Sequence, residues 1–155
     1  MTLSFDPPHL LFVVGDYYAH IAEELVAGAA EAIKAVNGTY DLIKVPGVFE
    51  IPTVIAHAER ATHRPAGRHY DGYVALGCVI RGETTHYDYV CGESARALME
   101  LSVEGLPIGY GVLTVENEAQ ALVRAKRDQK NKGKDAVVAC LTVLSVKRRL
   151  NMGGV

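Results

Sequence analysis

The chain has 155 residues, 49% of them hydrophobic and 22% charged, with a formal net charge of -2. That length suits one domain around a single core, and the balance of apolar and charged residues excludes a disordered, collagen-like or disulfide-scaffold chain. A slightly acidic chain offers no field for a phosphate backbone, so nucleic acid is not an expected partner, and Cys78, Cys91 and Cys140 lack the C-x-x-C spacing of a zinc site.

Residues 9–15 (HLLFVVG) form a short apolar run between Pro7-Pro8 and Gly15-Asp16, the pattern of a strand buried on both faces (β1). Ile21, Leu25, Ala29 and Ile33 then recur every four residues, predicting a helix over 21–36 (α1) that stops at Asn37-Gly38. The alternation continues with a strand over 40–45 (β2), a helix over 48–61 (α2), a strand over 72–80 (β3), a helix over 88–104 (α3) and a strand over 107–115 (β4). Two helices close the chain, one over 118–125 (α4) with Asn117 as N-cap and Gln120 as N3, the other over 135–150 (α5). The polar stretch HRPAGRHY (63–70) is a surface connection inside one domain spanning 1–155, whose residues 1–8 form an amino-terminal arm. The longest uncharged apolar run, 136–146, falls well short of the roughly 20 residues that cross a bilayer. The start MTLSFDPPH lacks the basic and apolar segments of a signal peptide, so a cytoplasmic protein without a membrane partner is expected.

Strands alternating with helices of ten or more residues predict right-handed crossovers and a parallel sheet covered on both faces, a three-layer α/β/α sandwich. The flavodoxin-like order β2-β1-β3-β4 is the expected one, with a ligand crevice beyond the carboxyl ends of β1 and β3. Two segments stand there: Gly15-Asp16-Tyr17-Tyr18 and Arg81 to His86.

The loop Arg81-Gly82-Glu83-Thr84-Thr85-His86 leads from a buried strand into a helix. Thr85 and Asp88 have the spacing of a capping box, so α3 is expected to begin at His86 with free backbone N–H groups turned toward Gly82-Glu83-Thr84. Such a helix start attracts phosphate and Gly82 lets the backbone come close; the alternative is a capped turn without a ligand. His86 adds an imidazole able to exchange protons near pH 7, a candidate general acid and base, although a histidine taken alone is more often structural. In VPGVFEIP (45–52), Pro46-Gly47 turns the chain and Glu50 precedes Pro52, which only the first turn of a helix tolerates. The Glu50 carboxylate therefore sits at the top of the sheet, either favouring the helix dipole or accepting hydrogen bonds from a polyol or amine. Tyr17 and Tyr18 can stack on a planar ring or seal a helix end. RAKRDQKNKGK (124–134) carries six basic residues against one acid, which makes it a solvated loop or a source of cations for a small anionic substrate.

Taken in order, VPGVFEIP, YDGYVALGCVIRGETTHYDYV, IGYGVLTVENEAQALVRA and NKGKDA resemble the successive signatures of the lumazine synthase family. The resemblance runs over about residues 11–150, and its G-x-V-I-R-G-x-T-x-H motif is specific. It implies the flavodoxin-like fold, no metal and no organic cofactor. The reaction it implies is the penultimate step of riboflavin synthesis, in which 5-amino-6-(D-ribitylamino)uracil and 3,4-dihydroxy-2-butanone 4-phosphate condense to 6,7-dimethyl-8-ribityllumazine. Carried onto this chain, the resemblance implies that Tyr17 stacks on the pyrimidine and that Glu50, with the backbone near Val48 and Phe49, holds the ribityl chain. The backbone of Val79 and Ile80 would meet the uracil edge, Gly82, Glu83 and Thr84 would bind phosphate, and His86 would transfer protons. Tyr110 matches an aromatic position supplied by a neighbouring subunit, and Arg124 and Lys132 match cations that contact phosphate.

The resemblance also implies a homo-oligomer, a pentamer that in some members pairs into a decamer or builds a shell of sixty subunits. Arg124, roughly 10 Å along α4 from Asn117 at about 1.5 Å per residue, recedes from the crevice of its own chain. If it binds phosphate it serves an adjacent subunit through a head-to-tail interface, and such an interface closes into a ring. Two departures stand out. Asp16-Tyr17-Tyr18 replaces the Arg-Phe-Asn of many members, and residues 126–133 (KRDQKNKG) lack two glycines found in shell-forming members, which favours a pentamer or a pair of pentamers. Two competing readings are an archaeal-type riboflavin synthase, which the motif disfavours, and a non-catalytic lumazine or flavin carrier, for which residues 15–19 lack a Ser/Thr/Gly-rich phosphate loop.

Overall fold

A computed structural model describes residues 5–155; of the arm expected over 1–8, residues 1–4 lie outside the described residues. β1 (His9–Gly15), β2 (Thr39–Val45), β3 (Gly72–Ile80) and β4 (Ile108–Val115) form one parallel sheet in the expected order β2-β1-β3-β4. β1 is paired on both sides, with Val14 opposite Lys44 and Leu76. Its residues Leu10 to Val14 are fully buried, which is why the strand reads as an unbroken apolar run. Leu10, Phe12 and Val14 pack with Ile21, Leu25 and Ile33 of α1 (Ala19–Lys34), Ala121 of α4 (Glu118–Ala125) and Val137 of α5 (Lys132–Asn151). Leu11 and Val13 point the other way, onto Ile51 and Ile55 of α2 (Ile51–Thr62) and Val90 and Leu98 of α3 (His86–Val103). Each buried Leu, Ile, Val or Phe among them contributes roughly 1.5–3 kcal/mol of burial.

Several boundaries differ from those expected, each for a local reason. α1 occupies 19–34 rather than 21–36, because Asn37 takes a left-handed φ of 58° and the Gly38 amide turns back to Ile33 O at 3.0 Å. The helix expected over 48–61 is divided into a 3₁₀ turn, Val48–Glu50, and α2 proper, since Pro52 fits only the first turn of an α-helix. α3 starts at His86 as the loop suggested, not at 88, but without the capping box. Thr85 already has helical dihedrals (φ -71°, ψ -4°) and its side chain caps nothing, while the Asp88 amide bonds the Thr85 carbonyl at 3.0 Å. The Asn117 cap does form, Oδ1 accepting from Gln120 N at 2.9 Å, although Gln120 Oε1 returns to Glu116 N and not to Asn117 N. α5 begins at Lys132 rather than 135, because Asn131 (φ 46°, ψ 53°) turns the chain directly into the helix. Close crossing of α5 over α1 needs Gly133, where a Cβ would meet the Leu25 carbonyl oxygen at 2.0 Å.

Candidate functional site

Beyond the carboxyl ends of β1 and β3 lies a cavity of about 700 Å³. The β1–α1 turn supplies Tyr17, the β2–α2 turn supplies Val48, Phe49 and Glu50, and β3 with the turn after it supplies Val79, Ile80, Gly82, Thr84 and His86. These nine residues, all singled out from the sequence, share one lining. Glu83 belongs to the same turn but is not part of that lining, and neither are Tyr110, Arg124 and Lys132.

The local chemistry of each wall follows from its turn. Glu50 Oε2 accepts a hydrogen bond from Gly47 N at 3.1 Å, closing the 3₁₀ turn and fixing the carboxylate at the rim. Val48 is buried beneath it while Phe49 is exposed. Tyr17 is 76% exposed and meets the Tyr18 ring edge-on, with centroids 4.9 Å apart, leaving one face open at the mouth. On the β3 side the His86 amide is 3.4 Å from Thr84 Oγ1, so the Thr84 hydroxyl stands at the helix start where Thr85 was expected.

Arg81 spans the base of this loop. Its Nε is 3.1 Å from Glu116 Oε2, its Nη1 3.5 Å from Asp88 Oδ1, and its guanidinium lies 4.2 Å from the centroid of the Tyr87 ring. The Glu116 carboxylate holds the guanidinium above its ordinary range. Tyr18, Pro46, Gly47, Cys78, Tyr87, Tyr89 and Val90 complete the lining. Burial pushes the Cys78 thiol up to about 12, so it stays protonated and serves as an apolar surface rather than a nucleophile. Burial also raises the phenols of Tyr18 and Tyr87. Tyr87 and Tyr89 were not anticipated; their signal was the predicted helix start itself, since whatever brings His86 to the crevice brings the rest of the first turn.

Two of the remaining candidates are engaged elsewhere in their own chain. Arg124 Nη1 donates to Gln120 O at 3.0 Å along α4, and Lys132 Nζ pairs with Asp135 Oδ2 at 3.0 Å in the first turn of α5. Tyr110, on the edge strand β4, is 45% exposed. Among the described residues no three His, Cys, Asp or Glu side chains converge as metal ligands, and no helix is long and apolar enough to cross a membrane.

Residues 7–148 match the family described as 6,7-dimethyl-8-ribityllumazine synthase. Over 144 residues the chain is 55% identical to a protein of that name from Methylorubrum populi, covering 92% of this chain and 85% of the relative. It is 51% identical to proteins of the same name from Bartonella bacilliformis, over 92% of this chain and 91% of the relative, and from Agrobacterium fabrum, over 92% and 97%.

Proposed function

Because the chain belongs to the 6,7-dimethyl-8-ribityllumazine synthase family, we propose that the cavity above β1 and β3 is where it condenses 5-amino-6-(D-ribitylamino)uracil with 3,4-dihydroxy-2-butanone 4-phosphate. The protein is a transferase of riboflavin biosynthesis. One observation supports this cavity most directly. A turn suited to a polyol, carrying Glu50, and a turn suited to phosphate, carrying Gly82, Thr84 and His86, line the same 700 Å³ space.

The reaction needs little beyond positioning and proton transfer. The uracil amine attacks the ketone, the carbinolamine loses water to an imine, phosphate departs, and ring closure expels a second water. Glu50 and the backbone near Val48 and Phe49 hold the ribityl chain, the backbone of Val79 and Ile80 meets the uracil edge, and Tyr17 stacks on the ring. Gly82, Glu83 and Thr84 receive the phosphate at the start of α3, where unpaired N–H groups and the helix dipole favour an anion. His86 moves protons at the carbinolamine and imine. A positioned imidazole contributes about 10²–10⁴-fold, whereas holding two reactants in place can supply roughly 7–11 kcal/mol. Proximity is the larger effect.

Tyr110, Arg124 and Lys132 serve the site of an adjacent subunit in a ring, a pentamer or a pair of pentamers. Their absence from the lining of their own chain's crevice supports that assignment. Three free cysteines suit a reducing compartment, and the cytoplasm is the proposed one. Purified protein given both substrates should develop lumazine absorbance that neither substrate produces alone. Tight lumazine binding without turnover would replace this reading with that of a carrier.

A further inference from the structure

Arg81 lies between β3 and the loop that meets the crevice, yet it does not line the cavity. Its contacts reach two separate segments: Glu116 just past β4 at 3.1 Å, and the first turn of α3, where Asp88 stands at 3.5 Å and the centroid of the Tyr87 ring at 4.2 Å. Its own amide donates to Val115 O at 2.9 Å, so the base of the side chain is fixed where β3 and β4 end. A planar guanidinium is suited to this arrangement because one group forks between two carboxylates and presents a flat face to an aromatic ring, which an ammonium cannot do.

The charges give the arrangement a purpose. Asp88 is held near the amino terminus of α3, where the dipole favours any anion. A bare carboxylate there competes with, and repels, a phosphate arriving at the same helix start. We propose that Arg81 is a positioning residue for the condensation: it ties the head of α3 to the end of β4 and neutralises Asp88, so that the phosphate loop and His86 face the crevice. This rests on the reading of Gly82 to Thr84 as the phosphate site. Arg81, Asp88 and Glu116 are all well exposed, and exposed ion pairs add little to stability. Losing Arg81 therefore shows in kinetics far more than in unfolding.

The test compares Arg81→Met, Arg81→Lys and Arg81→Met/Asp88→Asn in the intact protein. Each substrate is varied in turn, and inorganic phosphate binding is measured by calorimetry. Arg81→Met should raise KM for the ketone phosphate about tenfold and lower kcat, with KM for the uracil changed less than twofold and the thermal midpoint nearly unmoved. Arg81→Lys should recover only part of the loss. Adding Asp88→Asn should restore phosphate affinity but not kcat, since repulsion is relieved while the tether stays broken. Wild-type kinetics in Arg81→Met, or losses in both KM values that track a lowered midpoint, overturn the proposal. Should Arg81→Met not fold, Arg81→Lys and the single Asp88→Asn decide: unchanged phosphate binding in both overturns it. Thr84→Val separates the two levels of inference. If it weakens inorganic phosphate binding and the Arg81 variants do not, only the role of Arg81 fails. If neither does, the phosphate loop itself is misassigned and both fail.

Discussion

A Cβ placed on Gly15, the last residue of β1, would stand 2.9 Å from the backbone nitrogen of Val48. The end of β1 and the turn after β2 therefore meet backbone to backbone, and this contact carries Glu50 to the rim of the crevice. Gly77 of β3 leaves room for the Val48 side chain, since a Cβ there would meet Val48 Cγ2 at 2.7 Å. Gly15→Ala should push the 47–50 turn outward, at a cost of about 1–3 kcal/mol from overpacking. Denaturant unfolding measures that cost, and kinetics should show a larger rise in KM for the uracil than for the ketone phosphate. Equal rises would mean the turn does not hold the ribityl chain.

Removing the imidazole isolates its role. If phosphate is held by backbone and hydroxyl groups, as proposed, His86→Ala should lower kcat by about 10²-fold or more, with a smaller change in either KM. Wild-type turnover of that variant between about pH 6 and 8, where a histidine ordinarily titrates, would remove His86 from the chemistry.

Glu50→Gln keeps the shape of the rim and the acceptor for Gly47 N while deleting the charge. Ribityl-uracil binding should weaken by about 1.5–3 kcal/mol through loss of charge-assisted hydrogen bonds. A raised KM for the ketone phosphate with an unchanged one for the uracil would relocate Glu50 to the other substrate.

At the opposite end of the sheet Tyr70 donates to Asp41 Oδ2 at 2.7 Å, with Arg68 at 3.2 Å and His9 at 3.4 Å from the same oxygen. The Tyr70 hydrogen bond, ahead of His9 and Arg68, holds the Asp41 carboxyl below its ordinary 3.8, and burial followed by that bond pushes the Tyr70 phenol up to about 12. A carboxylate with a lowered folded pKa stabilises the fold above its ordinary value, and that contribution fades as pH drops through the lowered one. A phenol with a raised pKa stabilises below about pH 10 and loses its contribution as pH climbs toward about 12. Asp41→Asn should therefore flatten the acid limb of stability below about pH 4, and Tyr70→Phe the alkaline limb between about pH 10 and 12. Denaturant midpoints across pH read both, and unaltered limbs would refute the linkage.

The proposed sharing of sites between subunits predicts complementation. His86→Ala and Arg124→Ala subunits, each nearly inactive alone, should regain activity after subunit exchange, because some sites then combine the intact half of each chain. No recovery after verified exchange, or a monomer by light scattering, would contradict the ring.

Much of this was legible in the chain itself. The fully buried β1 announced its central place because a strand covered on both faces needs apolar side chains at every position. Apolar residues every four positions marked α1, and Gly82 with His86 marked the crevice because a glycine before a helix start is a local arrangement that local residues dictate. Pro52 signalled the top of α2 in the same way, though not that residues 48–50 would wind as 3₁₀. Tertiary structure decided the rest. Thr85 and Asp88 have the spacing of a capping box, but Arg81 approaches that turn from outside it, rests on the ring of Tyr87, and takes Asp88 as its partner instead. The early start of α5 depends on Asn131 being left-handed and on Gly133 passing the Leu25 backbone, a contact between segments about a hundred residues apart. Spacing along a chain encodes which groups one turn can bring together. Which of several possible partners a charged group keeps depends on distances that exist only after the helices have packed.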